Sequence, residues 1–157
     1  MNAYRSRPLT YPWPSTFYIL ALGAAFGLQT FFPLQIMPSG RIWLLLAGGL
    51  LVILGPALII SALRALMHHH TSILSTRSTN HLVTSGPFRL TRNPVYLGYT
   101  LTILGVGLLT ACPWTIAAAM MTAALIHVFV VRREEKHLLA RFGFDFERYC
   151  RRTRAWI

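Results

Sequence analysis

Apolar residues along the chain fall into four blocks, which are separated by short polar or proline-containing segments. The blocks cover residues 15–32, 42–67, 95–111 and 114–131, and a helix needs about 20 apolar residues to cross a hydrocarbon core. The pattern predicts an all-α membrane bundle of about four spans. The second block is long enough to tilt, or to bend at Gly55-Pro56. The last two blocks are so close, around Cys112-Pro113, that they must form a tight antiparallel hairpin.

Glycines recur inside these apolar blocks. Small residues let helix backbones approach closely in a membrane, so close helix packing is predicted at these positions. They are Gly23, Gly27, Gly48, Gly49, Gly55, Gly105 and Gly107. A dimer formed through Gly23 and Gly27 stays open as an alternative, and the oligomeric state cannot be inferred.

The basic residues predict the orientation of the bundle. They precede the first block, separate the second from the third and follow the fourth, and only Arg41 falls on the opposite side. By the positive-inside bias both termini and the loop over residues 67–93 face the cytoplasm. Cys112 and Cys150 then lie on opposite faces and cannot form a disulfide. We therefore expect a multi-pass protein of the bacterial inner membrane.

Composition narrows the classes of partner. The chain is 54% hydrophobic and 12% charged, with a net charge of +11, which excludes an ordinary soluble domain. The positive charge, including the tail over residues 148–154, lies beside predicted spans. Anionic lipid headgroups are therefore a simpler partner than nucleic acid.

All four acidic residues follow the fourth block, and they are Glu134, Glu135, Asp145 and Glu147. The helical spacing of Leu138, Leu139 and Phe142 continues from that block. The fourth helix is thus predicted to run out of the membrane. Its carboxylates would stand at the depth of the cytoplasmic loop, where a bound cationic group would find its counter-ion.

The loop before the third block has the features of an anion site. Gly86-Pro87 marks a turn, and Asn93-Pro94 marks a helix start with Asn93 as N-cap and Pro94 in the first helical position. Free amides at a helix N-terminus attract a carboxylate, and Arg89 and Arg92 strengthen that preference. A ligand with an amino acid head group would fit between this loop and Glu134.

The same residues carry a family resemblance. LVTSGPFRLTRNPVYLG, followed after one hairpin by REEKHLLARFGFDFERYCRR, resembles the isoprenylcysteine carboxyl methyltransferase and phospholipid methyltransferase superfamily of integral membrane enzymes. The usual signature there reads LVTxGPYxxxRHPxYxG and then EExxLxxxFGxxYxxY. The match covers residues 80–154. It implies a single membrane methyltransferase domain over residues 1–157, with two spans and a loop in residues 1–79 and the cofactor loop, hairpin and tail in residues 80–157.

The resemblance implies that S-adenosylmethionine is the cofactor and that a lipophilic acceptor enters from the bilayer. The implied cofactor contacts are Asn80, His81, Leu82, Val83, Phe88, Asn93, Pro94, Val95, Tyr96 and Glu134. Arg92 is expected to hold the carboxylate of the cofactor, and Arg152 to contact substrate or close the tail. Tyr149 and Trp156 are further candidates for a tail that folds back. His81 is the nearest base for an acceptor that must lose a proton.

Three positions depart from the family pattern. Asn93 replaces a histidine, Phe88 replaces a tyrosine, and Val130 stands where eukaryotic prenylcysteine enzymes carry an arginine for the substrate carboxylate. The acceptor is therefore left open, including whether its nucleophile is oxygen, sulfur or nitrogen.

The sequence also bears on two other functions, metal binding and transport. His68, His69 and His70 point in different directions on a helix and have no acidic residue or cysteine nearby, so no metal site is predicted. A small four-span transporter or membrane assembly factor is the alternative function. The apolar blocks contain no acidic residue, which argues against proton-coupled transport.

Overall fold

The computed structural model describes residues 13–35, 41–68 and 82–157, and every regular element within them is helical. The α-helices are α1 (Trp13–Phe31), α2 (Arg41–His68), α3 (Pro94–Leu109), α4 (Pro113–Ile126), α5 (Arg132–Phe142) and α6 (Phe144–Arg152). A 3-10 turn, Gly86–Arg89, precedes α3, and a π-helical segment, His127–Val131, joins α4 to α5. The predicted all-helical membrane bundle is confirmed.

Within the described residues, two helices are long and apolar enough to cross a membrane. One is α2, and the other is the continuous helix Pro113–Phe142, which includes α4, the π segment and α5. Helix α3 is a shorter apolar helix of 16 residues. The helix that corresponds to the fourth apolar block therefore extends beyond Glu134 and Glu135, as the spacing predicts.

Large apolar side chains remain exposed on α1 and α2. They include Ile19, Leu20, Phe26, Trp43, Leu46, Leu50 and Ile53, each more than half exposed. Contiguous apolar surface of this kind is unusual on a soluble monomer and typical of a membrane-facing surface. Helix α2 also continues through Pro56 without a break.

Two glycine pairs bring α2 and α3 into close contact. A Cβ added at Gly48 would lie 2.8 Å from the main-chain oxygen of Gly105, and one added at Gly98 would lie 2.8 Å from that of Gly55. The backbones therefore touch in an antiparallel crossing that only glycine permits, and the predicted packing is confirmed at Gly48, Gly55 and Gly105.

Of the other four glycines predicted to pack closely, one is in close contact and three are not. Gly107 packs against α4, where an added Cβ would lie 3.1 Å from the amide nitrogen of Ile116. Gly23, Gly27 and Gly49 have nothing within 4 Å of an added Cβ. Close packing within the chain was thus wrongly predicted at these three positions, because small residues on an outward helix face have the same spacing as those on an inward one.

The tight hairpin between α3 and α4 is confirmed. The chain reverses over Thr110, Ala111 and Cys112, with Ala111 at φ 50° and the Cys112 amide donating to Gly107 O at 2.9 Å. Helix α1 packs on α4 beside this turn, where Cys112 Sγ lies 3.3 Å from Gln29 Oε1. Cys112 and Cys150 are both free thiols, as expected.

The core lies where α1, α3 and the long helix meet. Its buried members are Tyr18, Ile103, Ala119, Ile126, Val130 and Val131. The last two belong to the π segment. A π turn is rare, and it is found disproportionately at functional sites.

Candidate functional site

The loop before α3 and helix α6 meet at one end of the bundle. Tyr149 of α6 donates a hydrogen bond to the main-chain oxygen of Phe88 at 2.7 Å. Burial raises the pKa of the Tyr149 phenol above its ordinary value, against the opposing effect of the nearby Arg92 charge. The two segments that are separated by the hairpin in sequence are therefore adjacent in the fold.

Glu134 faces the bundle through Tyr96. The Tyr96 hydroxyl donates to Glu134 Oε1 at 2.9 Å, joining the first turn of α3 to the first turn of α5. Glu134 is only partly exposed. The structure thus brings together Tyr96 and Glu134, two of the residues that the family resemblance implies as cofactor contacts.

Each of the three guanidinium nitrogens of Arg92 donates a hydrogen bond to a protein group. Its Nε and Nη2 donate to Glu135 Oε1 at 3.1 and 2.5 Å, and its Nη1 donates to the main-chain oxygens of Cys150 and Thr153 at 3.3 and 2.9 Å. Its side chain is 15% exposed and that of Glu135 is 27% exposed. The expected contact between Arg92 and a cofactor carboxylate stays a prediction.

Asn93 occupies the cap position of α3, and its main-chain oxygen accepts from the Leu97 amide at 3.0 Å. Its side chain makes no capping hydrogen bond, however, and Nδ2 donates to the main-chain oxygen of Ala155 at 2.8 Å. Pro94 follows and has no amide. The first-turn amides without an intrahelical acceptor are therefore those of Val95 and Tyr96.

The chain end lies across this helix start. We call residues 153–156 the terminal strap. The main-chain oxygen of Ala155 also accepts from Thr91 Oγ1 at 3.0 Å, and that of Arg154 accepts from the Arg92 amide at 3.0 Å.

The last member of the strap reaches the long helix. The indole Nε1 of Trp156 donates to Nδ1 of His127 at 3.2 Å, at the first residue of the π segment. Trp156 was a sequence candidate for a folded-back tail, and it does fold back. His127 was not among the residues that the sequence predicted for the site. The main-chain oxygens of the strap were missed because no residue-type signal marks a carbonyl group that will accept a hydrogen bond.

The other predicted site residues differ in how deeply they are buried. Val83 is buried, while Leu82 and Phe88 are half-buried beside the same loop. Arg152 ends α6 and is exposed. Asn80 and His81 lie outside the described residues.

The charge arrangement suits a zwitterionic head group. The Glu134 carboxylate can pair with an ammonium, and the amides of Val95 and Tyr96 can donate to a carboxylate at the N-terminus of α3. These groups fit the amino acid portion of S-adenosylmethionine, whereas the Arg92 guanidinium already has protein partners. Among the described residues no group of three histidine, cysteine or acidic side chains could hold a metal ion, and His69 and His70 lie outside them.

The apolar helices define an integral membrane protein, and the polar cluster lies at one end of its helical bundle. The family model for phospholipid methyltransferases matches residues 43–145, which is more than half of the chain. The chain belongs to the phospholipid methyltransferase family. The resemblance inferred from the two motif blocks is confirmed.

Two curated relatives are each similar to about half of the chain. The cobalt-zinc-cadmium resistance protein CzcN of Cupriavidus metallidurans is 40% identical over 84 residues, covering 54% of this chain and 38% of the relative. The nickel-cobalt-cadmium resistance protein NccN of Alcaligenes xylosoxydans xylosoxydans is 36% identical over 84 residues, covering 54% of this chain and 39% of the relative. The aligned part is thus well under half of either relative. No solved structure matches the chain significantly.

Proposed function

We propose that the protein transfers a methyl group from S-adenosylmethionine to a lipophilic or lipid-linked acceptor at the cytosolic face of the membrane. The observation that carries the proposal is the Tyr96–Glu134 contact beside the N-terminus of α3, within the region matched by the phospholipid methyltransferase family. In this proposal the bundle spans the inner membrane four times, with both termini in the cytoplasm.

Each residue of the cluster has a simple role in binding. Glu134 would hold the ammonium of the cofactor, oriented by the hydroxyl of Tyr96. The amides of Val95 and Tyr96 would donate to the carboxylate of the cofactor. They are the available donors at the helix start because Pro94 has no amide hydrogen and the Leu97 amide already donates to Asn93. Leu82, Val83 and Phe88 would line the loop side of the pocket.

Bound S-adenosylmethionine supplies a methyl group that is already activated by its sulfonium. The protein must then mainly hold the acceptor in line with that methyl group, and positioning alone can supply about 7 to 11 kcal/mol in favourable cases. A thiol or amine acceptor would also have to lose a proton, and His81 remains the proposed base for that step.

The proposed acceptor is lipophilic because the family is membrane-bound and the outer faces of the helices are apolar. The names of CzcN and NccN refer to metal resistance and specify no acceptor. Membrane lipids are thus proposed as the surroundings of the reaction and as one source of acceptor.

Calorimetric titration with S-adenosylhomocysteine tests the proposal in detergent-solubilised protein supplemented with lipid. We expect saturable binding by the wild type and a loss of about tenfold or more for Glu134→Gln, since hydrogen bonds to charged groups contribute about 1.5 to 3 kcal/mol. Glu147→Gln is the matched control, because Glu147 is an exposed acid on α6. A folded wild-type sample that binds no nucleoside would refute the proposal.

A further inference from the structure

The guanidinium of Arg92 makes several hydrogen bonds within the protein. A guanidinium has five N–H donors, and the groups that hold Arg92 come from two directions. Glu135 belongs to α5, while the two main-chain oxygens belong to Cys150 of α6 and Thr153 of the strap. The side chain thus joins α5 to the end of the chain.

The backbone around Arg92 adds to the same connection. The Arg92 amide, the Thr91 hydroxyl and the Asn93 side chain all donate to main-chain oxygens of Arg154 or Ala155. Three consecutive residues therefore bind the strap just before α3 begins.

The strap connects the two elements that carry the proposed head-group contacts. At one end it is bound beside the start of α3, which carries the amides of Val95 and Tyr96. At the other end Trp156 bonds to His127, which lies on the same continuous helix as Glu134. A head group held between α3 and Glu134 would thus have the strap alongside it.

We propose that Arg92 is a positioning residue that fastens the terminal strap across the head-group site, and that the strap sets the rate at which a bound cofactor leaves. This inference rests on the proposed function. The Arg92–Glu135 ion pair also fixes the turn of α5 that carries Glu134, so its loss would disturb both sides of the site.

The dissociation rate of S-adenosylhomocysteine distinguishes fastening from direct ligand contact. We expect Arg92→Gln and Glu135→Gln to raise that rate by about tenfold, since each removes a hydrogen-bonded charge. Trp156→Phe replaces the indole by a smaller ring without an N–H donor, and it should raise the rate severalfold. Association rates should change little, and Arg151→Gln, an exposed arginine of α6, should match the wild type.

A truncated nucleoside completes the test. Methylthioadenosine lacks the amino acid portion, so a residue that binds only the carboxylate cannot affect it. We expect the three strap variants to speed its release as they do that of S-adenosylhomocysteine. If Arg92→Gln affects only S-adenosylhomocysteine, and Glu135→Gln and Trp156→Phe match the wild type, Arg92 is a carboxylate ligand and the proposal is wrong.

Hydrogen exchange of the unliganded protein gives a readout that does not need the cofactor. The amides of residues 153–157 should exchange faster in Arg92→Gln, and faster to a smaller degree in Arg92→Lys, than in Arg151→Gln. Unchanged exchange would refute the fastening. A wild-type protein that binds neither nucleoside would overturn the proposed function and the control of release with it, while the exchange data would still decide whether Arg92 holds the strap.

Discussion

Tyr18 of α1 donates a hydrogen bond to the main-chain oxygen of Tyr96 of α3 at 3.0 Å. Its hydroxyl also lies 2.7 Å from Thr100 Oγ1, and its ring lies 5.3 Å from that of Tyr99. Helix α1 precedes the region matched by the family, residues 43–145. A helix outside that region therefore helps to hold the residue that contacts Glu134.

Replacing Tyr18 by phenylalanine should destabilise the protein by about 1 kcal/mol, the usual net contribution of a neutral hydrogen bond. The ring remains and only the hydroxyl is lost, so the packing of α1 should persist. Thermal unfolding in detergent measures the change. Tyr99→Phe is the control, because it keeps the ring contact with Tyr18; equal melting temperatures for the two variants would contradict the prediction.

The α2–α3 crossing predicts opposite outcomes for two adjacent glycines. Gly48→Ala should destabilise the bundle by about 1 to 3 kcal/mol, because its Cβ would meet Gly105 O at 2.8 Å and Leu109 N at 2.9 Å, and backbone atoms cannot easily move. Gly49→Ala has open space around its Cβ and should stabilise α2 by up to about 1 kcal/mol through helix propensity. Thermal unfolding of the pair measures both, and a loss of stability in Gly49→Ala equal to that in Gly48→Ala would show that the crossing is not the cause.

Tyr149 should make stability depend on alkaline pH. Burial raises the pKa of its phenol in the folded protein, so above the ordinary value of about 10 the unfolded chain loses this proton first. The contribution to stability is full below about pH 10 and declines as the pH rises toward the folded pKa. Between about pH 9 and 11 the melting temperature of the wild type should therefore fall more steeply than that of Tyr149→Phe, and parallel curves would exclude this account.

Much of the architecture was predictable because helix length and apolar composition are local properties. The blocks around residues 42–67 and 95–111 became α2 and α3 nearly unchanged, and the spacing of Leu138, Leu139 and Phe142 correctly extended the last helix to the acidic residues. The glycines were less informative. Gly48 and Gly49 are adjacent and identical in type, and only the position of α3 decides which of them is in contact.

The candidate site also has features that the sequence predicts and features that depend on the tertiary structure. Asn93-Pro94 marks the helix start and Glu134 the available carboxylate by residue type alone, and the two motif blocks identify the family. Whether the Asn93 side chain caps the helix or binds Ala155 depends on where the chain end lies. An amide side chain has an oxygen that can accept from a helix amide and an NH₂ group that can donate to a carbonyl group.

The sequence by itself determined the helices, the membrane class and the family, because apolar block length, charge placement and motif spacing can be read along the chain. Only the tertiary structure showed that Arg92 pairs with Glu135 and that residues 153–156 cross the start of α3. The physical reason is that a guanidinium can pair with any nearby oxygen. The partners of Arg92 are Glu135 and Thr153, which lie 43 and 61 residues away in the chain, and no local sequence pattern encodes their proximity.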